Sequence, residues 1–163
     1  LLGIYVCVFR KKKWEKNLHV IDKKLIKDPK IWSNFENTCF FIKVFCEAFG
    51  NSKAFFCAKA LSVNLSGIRE WASLYPFVEI VRIPEALDYY RSKGLGFFQY
   101  ICSKNYALRN FFNYFFKIII NGKKTGLNYV NFRKHFFMNL IYPNVWLSII
   151  YFIFRKLKLQ REI

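Results

Sequence analysis

The stretch Gly67 to Trp71 reads G-I-R-E-W and places an arginine, a glutamate and a tryptophan side by side. It follows an apolar run, ending L-S-V-N-L-S, that is typical of a strand stopping at a turn. A guanidinium at a strand end can donate two parallel hydrogen bonds to an anion such as a diphosphate. The same residues also fit a turn in which Arg69 pairs with Glu70 and Trp71 covers the core, so both interpretations remain open here.

Common catalytic motifs are absent from the sequence. It contains no P-loop, no G-x-G-x-x-G, no G-x-S-x-G and no D-x-D. His19 and His135 have no partner at metal-ligand spacing, so no metal site is expected from them. The cysteines form no C-x-x-C pair and lie among apolar residues, which predicts reduced, buried thiols in a cytosolic compartment. They are Cys7, Cys39, Cys46, Cys57 and Cys102.

The residue pattern predicts two strands and one helix in the first part of the chain, followed by helices only. Leu2 to Phe9 and Lys53 to Leu65 are apolar runs of the kind that form buried strands. Between them, Asn34 to Phe49 has apolar residues at helical spacing and ends at Gly50. The later helices are predicted to begin at Pro76 and Pro84 and then to cover Phe97 to Asn121, Leu127 to Met138 and Asn144 to Leu159.

Positive charge is concentrated in the second half of the chain. The chain has 27 Lys and Arg against 10 Asp and Glu, a formal net charge of +17. Between Asp88 and Glu162 there is no acidic residue, which favours a polyanion or an anionic lipid surface as partner. An AT-rich genome would also enrich Lys, Asn, Ile, Phe and Tyr without any functional reason.

One uncharged apolar run, Leu140 to Phe154, is a candidate segment for contact with a membrane. A spanning helix needs about 20 apolar residues, and this run is shorter and contains Pro143, Asn144 and Ser148. Aromatic residues make up 21% of the chain, and rings beside lysine and arginine suit a lipid headgroup region. We therefore predict a helix that lies in a membrane interface rather than one that crosses the bilayer.

Four stretches, taken in order, resemble the C-terminal half of bacterial family 2 glycosyltransferases of the GT-A type. They are VFRKKKW (Val8 to Trp14), NFENTCFFIKVF (Asn34 to Phe45), ALSVNLSGIREWASLYPFVEIVRIPEALDYYRSKGL (Ala60 to Leu95) and NLIYPNVWLSI (Asn139 to Ile149). The resemblance implies an α/β fold: residues 1–75 would be the C-terminal part of a GT-A-like nucleotide-sugar transferase domain, with few strands and one or two helices. Residues 76–163 would form a basic, helical, membrane-associating tail. Because the chain starts without methionine inside a predicted strand, we expect a donor-binding part to precede it.

The resemblance also implies a function. The whole protein would transfer a sugar from a nucleotide diphosphate sugar to a lipid-linked or other saccharide acceptor in surface polysaccharide synthesis. The preceding part would hold the donor and a divalent metal, so this chain alone would be inactive. Its partners would be the acceptor and an anionic membrane surface, without nucleic acid, and its place would be cytoplasmic and peripheral, at the inner face of the cell membrane.

The same resemblance suggests which residues act. Related sequences carry a histidine or aspartate base where this chain reads T-C-F-F, so the nearby Glu36 becomes the candidate catalytic base, although a glutamate there also fits a simple interaction with the helix dipole. The expected substrate-binding residues are Asn34, Asn64, Arg69 and Trp71. The G-I-R-E-W stretch departs from the family's Q-x-x-R-W pattern, since it lacks the glutamine and inserts Glu70.

Two alternatives from other functional classes remain open. The net charge of +17 and the stretch FFNYFFKIIINGKK, Phe111 to Lys124, would suit an RNA-binding or ribosomal component. A non-catalytic protein of the membrane interface would explain the same charge and the aromatic residues.

Overall fold

The computed structural model describes residues 9–30, 32–52 and 70–161, and every regular element within these ranges is a helix. The α-helices are α1 (Lys11–Lys16), α2 (Lys23–Ile26), α3 (Phe35–Phe49), α4 (Tyr75–Phe77), α5 (Ile83–Ser92), α6 (Phe97–Ala107), α7 (Phe111–Asn121), α8 (Phe132–Asn139) and α9 (Pro143–Arg161). A π-helical segment, Val78–Arg82, joins α4 to α5.

The predicted α/β, GT-A-like fold class is wrong, because the described ranges contain neither a strand nor a sheet. Helices pack on helices here: α3 lies against α5, and α7 lies against α9. The prediction relied on the sequence resemblance and on two apolar runs, and such runs occur in buried strands and in buried helices alike. The two runs predicted as strands, Leu2 to Phe9 and Lys53 to Leu65, lie outside the described residues apart from Phe9.

Helix α3 confirms the helix predicted from Asn34 to Phe49. The Asn34 side chain accepts the Asn37 backbone N–H at 2.9 Å, and the Asn37 side chain accepts the Asn34 N–H at 3.3 Å, which is a capping box. Cys39 departs from helical geometry and bends the helix. Gly50 follows the last helical residue, as the sequence predicts.

The helix starts predicted at Pro76 and Pro84 correspond to the first turns of α4 and α5. A proline is tolerated there because its missing N–H would have no partner in the first turn. Pro84 directly follows the π-helical segment, in which the Ile83 N–H bonds to the Val78 carbonyl, five residues earlier. His135 of α8 also donates to this segment, through Nε2 to the Ile80 carbonyl at 2.5 Å.

The single helix predicted from Phe97 to Asn121 is two helices, α6 and α7, separated by the 3-10 turn Leu108–Asn110. Leu108 in that turn is fully buried. Ser148 of α9 accepts the N–H of Phe112 at 3.1 Å and so satisfies a donor at the start of α7. The break therefore depends on a tertiary contact that local spacing does not reveal.

The two last helices agree with the prediction in type and differ at their starts. The helix predicted from Leu127 begins at Phe132, after Asn131 caps it by accepting the Lys134 N–H at 3.0 Å. Gly126 precedes it with φ of 82°, a conformation that glycine tolerates best. The helix predicted from Asn144 is α9.

The main core lies between the α4–π–α5 stretch and helices α7 to α9. Its buried members are Phe77, Ile80, Val81, Leu108, Phe111, Ile118, Tyr142 and Val145. Burying a phenylalanine such as Phe77 stabilises a fold by about 1.5–3 kcal/mol. A smaller cluster of Cys39, Ile42 and Ala86 joins α3 to α5. These contacts cross the boundary predicted after residue 75, which stays a prediction.

Candidate functional site

The predicted base, Glu36, lies in the first turn of α3 and is 4% exposed. Its Oε1 pairs with the ammonium group of Lys43, which also lies over the Phe35 ring at 5.9 Å. Its Oε2 has no hydrogen-bond partner among the described residues. Glu36 is thus a buried carboxylate in an ion pair, and its catalytic role stays a prediction.

The predicted substrate-binding residues are not assembled into one described site. Asn34 is used as the cap of α3, and its amide also donates to the carbonyl of Leu25 at 3.2 Å. Asn64 and Arg69 lie outside the described residues. Trp71 belongs to the 3-10 turn Glu70–Leu74, and its side chain also lies outside them. Their role in binding a substrate stays a prediction.

A polar cluster joins α5 and α6 to the turn that precedes α9. Lys104 is buried and pairs with Asp88 at 2.5 Å, while its ammonium contacts the Tyr100 hydroxyl at 2.9 Å. The Tyr142 hydroxyl donates to that of Tyr100 at 3.4 Å. Burial raises the pKa of Tyr142 to about 12 and also raises the pKa of Tyr100. Both phenols therefore stay protonated at neutral pH, which suits a structural contact between helices.

The described thiols differ from one another in exposure, and Cys7 and Cys57 lie outside the described residues. Cys39 is buried, and burial raises its pKa to about 12, which makes it a poor nucleophile. Cys46 is half-buried, whereas Cys102 is exposed, so the prediction of buried thiols is wrong for Cys102. Within the ranges that the structure describes, no group of His, Cys, Asp and Glu side chains could hold a metal ion.

Helix α9 carries an outward-facing apolar stripe, which we call the α9 stripe. Its members are Trp146, Leu147, Ile150, Tyr151, Ile153 and Phe154, each between 50% and 70% exposed. At 100° per residue they fall within an arc of about 160° on one side of the helix. Val145 and Ser148, on the other side, are buried against α7 and the turn before it. The helix is thus apolar on its buried side and on its solvent side.

Further large apolar side chains are exposed on neighbouring helices. On α7, Phe116 is 40% exposed and Ile120 is 66% exposed. The Phe116 ring contacts Phe152 of α9 at 5.3 Å, so this part of α7 lies beside α9. The other exposed apolar residues of α6, α7, α8 and the turn after α8 are Phe97, Phe98, Tyr106, Ile119, Phe137, Met138 and Ile141. A contiguous apolar patch is uncommon on a monomer, and where one is exposed it marks an interaction surface.

Basic residues accompany these apolar side chains, and acidic residues do not. From residue 89 to residue 161 the chain contains 13 Lys or Arg and no Asp or Glu. The exposed ones whose side chains are described include Arg109, Lys117, Lys124, Arg133 and Lys134. The surface formed by α7, α8 and α9 is therefore both apolar and electropositive.

An open groove of about 510 Å³ separates α7 from α8. Its lining residues are Phe115, Ile119, Leu127, Phe132, Arg133, Phe136 and Phe137. The Phe115 ring stacks on Phe132 at 5.1 Å and contacts Phe136 at 4.7 Å. The groove is thus aromatic and aliphatic, with one guanidinium.

Within the described part of the chain, no single helix has the length and apolar character needed to cross a bilayer. One bent pair of helical segments, Phe132–Asn139 with Pro143–Phe154, has them in combination, with an angle of 102° between its two halves.

No protein-family model, curated protein or solved structure matches this chain.

Proposed function

We propose that this protein binds the surface of anionic membranes through helices α7 to α9. The observation that carries the proposal is the α9 stripe, because it exposes apolar side chains to solvent along one face of a helix. A helix with one apolar face outward, set among lysine and arginine, has the composition of segments that lie in the headgroup region.

The apolar contribution to binding is favourable. Complete burial of a large apolar side chain yields about 1.5–3 kcal/mol, and a half-exposed one recovers roughly half of that. The side chains of the α9 stripe are about half exposed, so their transfer into the acyl boundary yields several kcal/mol in total.

The basic residues add to the apolar contribution and favour anionic lipids over zwitterionic ones. A lysine or arginine near an anionic leaflet contributes about 1 kcal/mol, screened by salt. Arg133 and Lys134 are exposed at the start of α8, and no carboxylate pairs with either among the described residues. The absence of acidic residues from 89 to 161 leaves little repulsion from the lipid phosphates.

The side chains favour a lipid surface over RNA. Single-stranded RNA is bound by aromatic rings on which bases stack, together with cations. Half of the α9 stripe is aliphatic, namely Leu147, Ile150 and Ile153. Aliphatic side chains offer no stacking face to a base, whereas they are well suited to acyl chains.

Vesicle flotation tests the proposal with a matched pair of variants. The double substitution Leu147→Ser and Ile150→Ser removes two members of the α9 stripe. The control, Leu18→Ser and Leu25→Ser, removes two leucines that are 40% and 45% exposed in the first part of the chain. We expect the first variant to bind phosphatidylglycerol vesicles at least tenfold more weakly, from a loss of about 2 kcal/mol, and the control to bind like wild type.

Several results would contradict the proposal. They are equal binding to pure phosphatidylcholine and to phosphatidylglycerol vesicles, equal losses in both double variants, or no vesicle binding at all. A gel shift with single-stranded RNA serves as the second assay. Binding to RNA but not to vesicles would assign the surface to nucleic acid.

The transferase activity implied by the sequence resemblance is a separate prediction, which no described contact tests. The experiment that tests it measures the transfer of sugar from a labelled nucleotide diphosphate sugar to a lipid-linked acceptor by the longest form of the protein. Loss of transfer in Arg69→Ala, with vesicle binding retained, is the expected result. Unchanged transfer in this variant would leave Arg69 as part of a turn.

A further inference from the structure

We infer that the groove between α7 and α8 binds one acyl chain of an anionic lipid, with its headgroup held by Arg133. The inference rests on the proposed membrane function and extends it from surface adsorption to capture of a single lipid molecule.

The shape and lining of the groove fit an acyl chain. Its volume, about 510 Å³, lies within the roughly 300–1,000 Å³ of small-molecule sites. Phe115, Phe132 and Phe136 are half-buried, and the Phe115 ring contacts both of the others, so the floor is formed by side chains that already pack together. Ile119 and Phe137, which are 50% and 69% exposed, stand at the open side.

The charge of the groove decides the kind of occupant. Arg133 is its one charged lining residue, and Lys134 follows it in the chain. Among the described residues no carboxylate pairs with the Arg133 guanidinium. A guanidinium can donate two parallel hydrogen bonds to a phosphate, which suits the headgroup of a phospholipid whose chain lies among the rings.

A second copy of this chain is a less suitable occupant. Each chain carries a formal net charge of +17, so two copies repel one another at low salt. An anionic lipid reduces this positive charge, whereas a second chain doubles it.

Calorimetric titration with a monomeric lipid tests the inference. The probe is lysophosphatidylglycerol below its micelle concentration, and lysophosphatidylcholine is the matched zwitterionic probe. Ile119→Trp fills the groove and keeps its open side apolar, while Arg133→Gln removes the cation. We expect both variants to bind lysophosphatidylglycerol about tenfold more weakly than wild type. Arg133→Gln should also lose the preference for the anionic probe.

The double variant Leu147→Ser and Ile150→Ser separates this inference from the proposed function. It should bind lysophosphatidylglycerol like wild type although it binds vesicles weakly. Ile119→Trp should bind vesicles like wild type although it binds lysophosphatidylglycerol weakly. Equal affinity of wild type and Ile119→Trp for the probe would overturn the groove site and leave membrane binding intact. Groove binding without any vesicle binding would overturn the membrane function instead.

Sedimentation of the lipid-free protein tests whether a second copy of this chain occupies the groove in place of a lipid. We expect a monomer for wild type and for Ile119→Trp. A wild-type dimer that Ile119→Trp dissociates would assign the groove to self-association and overturn the lipid site.

Discussion

At the scale of single residues, a histidine of α8 forms a hydrogen bond to the backbone of the π-helical segment. His135 donates to the Ile80 carbonyl through Nε2. Because a carbonyl only accepts, this hydrogen bond requires a proton on Nε2. The ring is also 6.5 Å from that of Phe111, in the main core. The histidine therefore has a structural role that no sequence motif indicates.

The protonation of His135 should make stability depend on pH. Burial lowers the pKa of His135, outweighing the hydrogen bond to Ile80 and the charges of Glu85 and Asp88, which raise it, while Lys104 lowers it further. The unfolded chain then binds a proton near pH 6.5 that the folded chain does not. Stability is fully present above that pH and falls as the pH decreases toward the lowered pKa.

The variant His135→Gln keeps a donor for Ile80 and removes this titration. We expect urea unfolding to show wild type losing stability relative to His135→Gln as the pH falls through the region below 6.5. A constant difference between the two proteins from pH 8 to pH 5 would show that His135 titrates alike in the folded and unfolded chains.

At the scale of elements, one buried arginine joins the entrance of α3 to the π-helical segment. Arg82 is 2% exposed, and its Nη2 donates to the carbonyls of Trp32 at 3.1 Å and Ser33 at 2.6 Å. Its Nη1 pairs with Glu85 at 2.5 Å. Trp32 has a φ of 61°, which is unusual for a residue with a side chain, and the contact with Arg82 holds its carbonyl in place.

Replacing Arg82 by methionine should be costly. It leaves the two backbone carbonyls without their donor and Glu85 without its partner, so we expect a loss of about 3 kcal/mol in the free energy of unfolding. Arg91→Met is the matched control, since its guanidinium donates to Leu95 at 2.8 Å from an exposed position. Urea denaturation monitored by circular dichroism measures both. Equal losses of unfolding free energy in the two variants would mean that burial does not strengthen the contacts of Arg82.

At the scale of the whole molecule, the net charge of +17 opposes the compact state. Self-repulsion between exposed charges is screened over about 8 Å at 0.15 M salt and over about 30 Å at 0.01 M. The helical region from 89 to 161 has no acidic residue to offset its lysines and arginines. The free protein should therefore be more stable in salt, whereas its electrostatic attraction to lipid should be weaker.

These opposite responses to salt are a testable pair. We expect the melting temperature of the lipid-free protein to rise between about 0.01 M and 0.15 M sodium chloride, and binding to phosphatidylglycerol vesicles to weaken over the same range. Differential scanning calorimetry and flotation measure the two quantities. Vesicle binding that is independent of salt would show that the basic residues do not contact the lipid.

Local patterns identified many helices but few of their contacts. The capping residues of α3 and the glycine after α7 could be recognised from Asn34 and Gly122, because caps act within a few residues of chain. The break between α6 and α7 could not, because Ser148 of α9 takes part in it. The α/β fold class followed from a sequence resemblance and from two apolar runs, and the helix-on-helix packing of the described ranges contradicts it. An apolar run by itself is compatible with a buried strand and with a buried helix.

The sequence by itself determined the positive charge, the lack of acidic residues after Asp88 and the helical periodicity of α3 and α9. Only the tertiary structure decided which side of α9 faces solvent. Val145 and Ile150 are both apolar and lie in the same helix, yet Val145 is buried and Ile150 is half exposed. The reason is physical: periodicity states which residues share a face, whereas burial depends on what packs against that face, and α7 packs against only one side of α9.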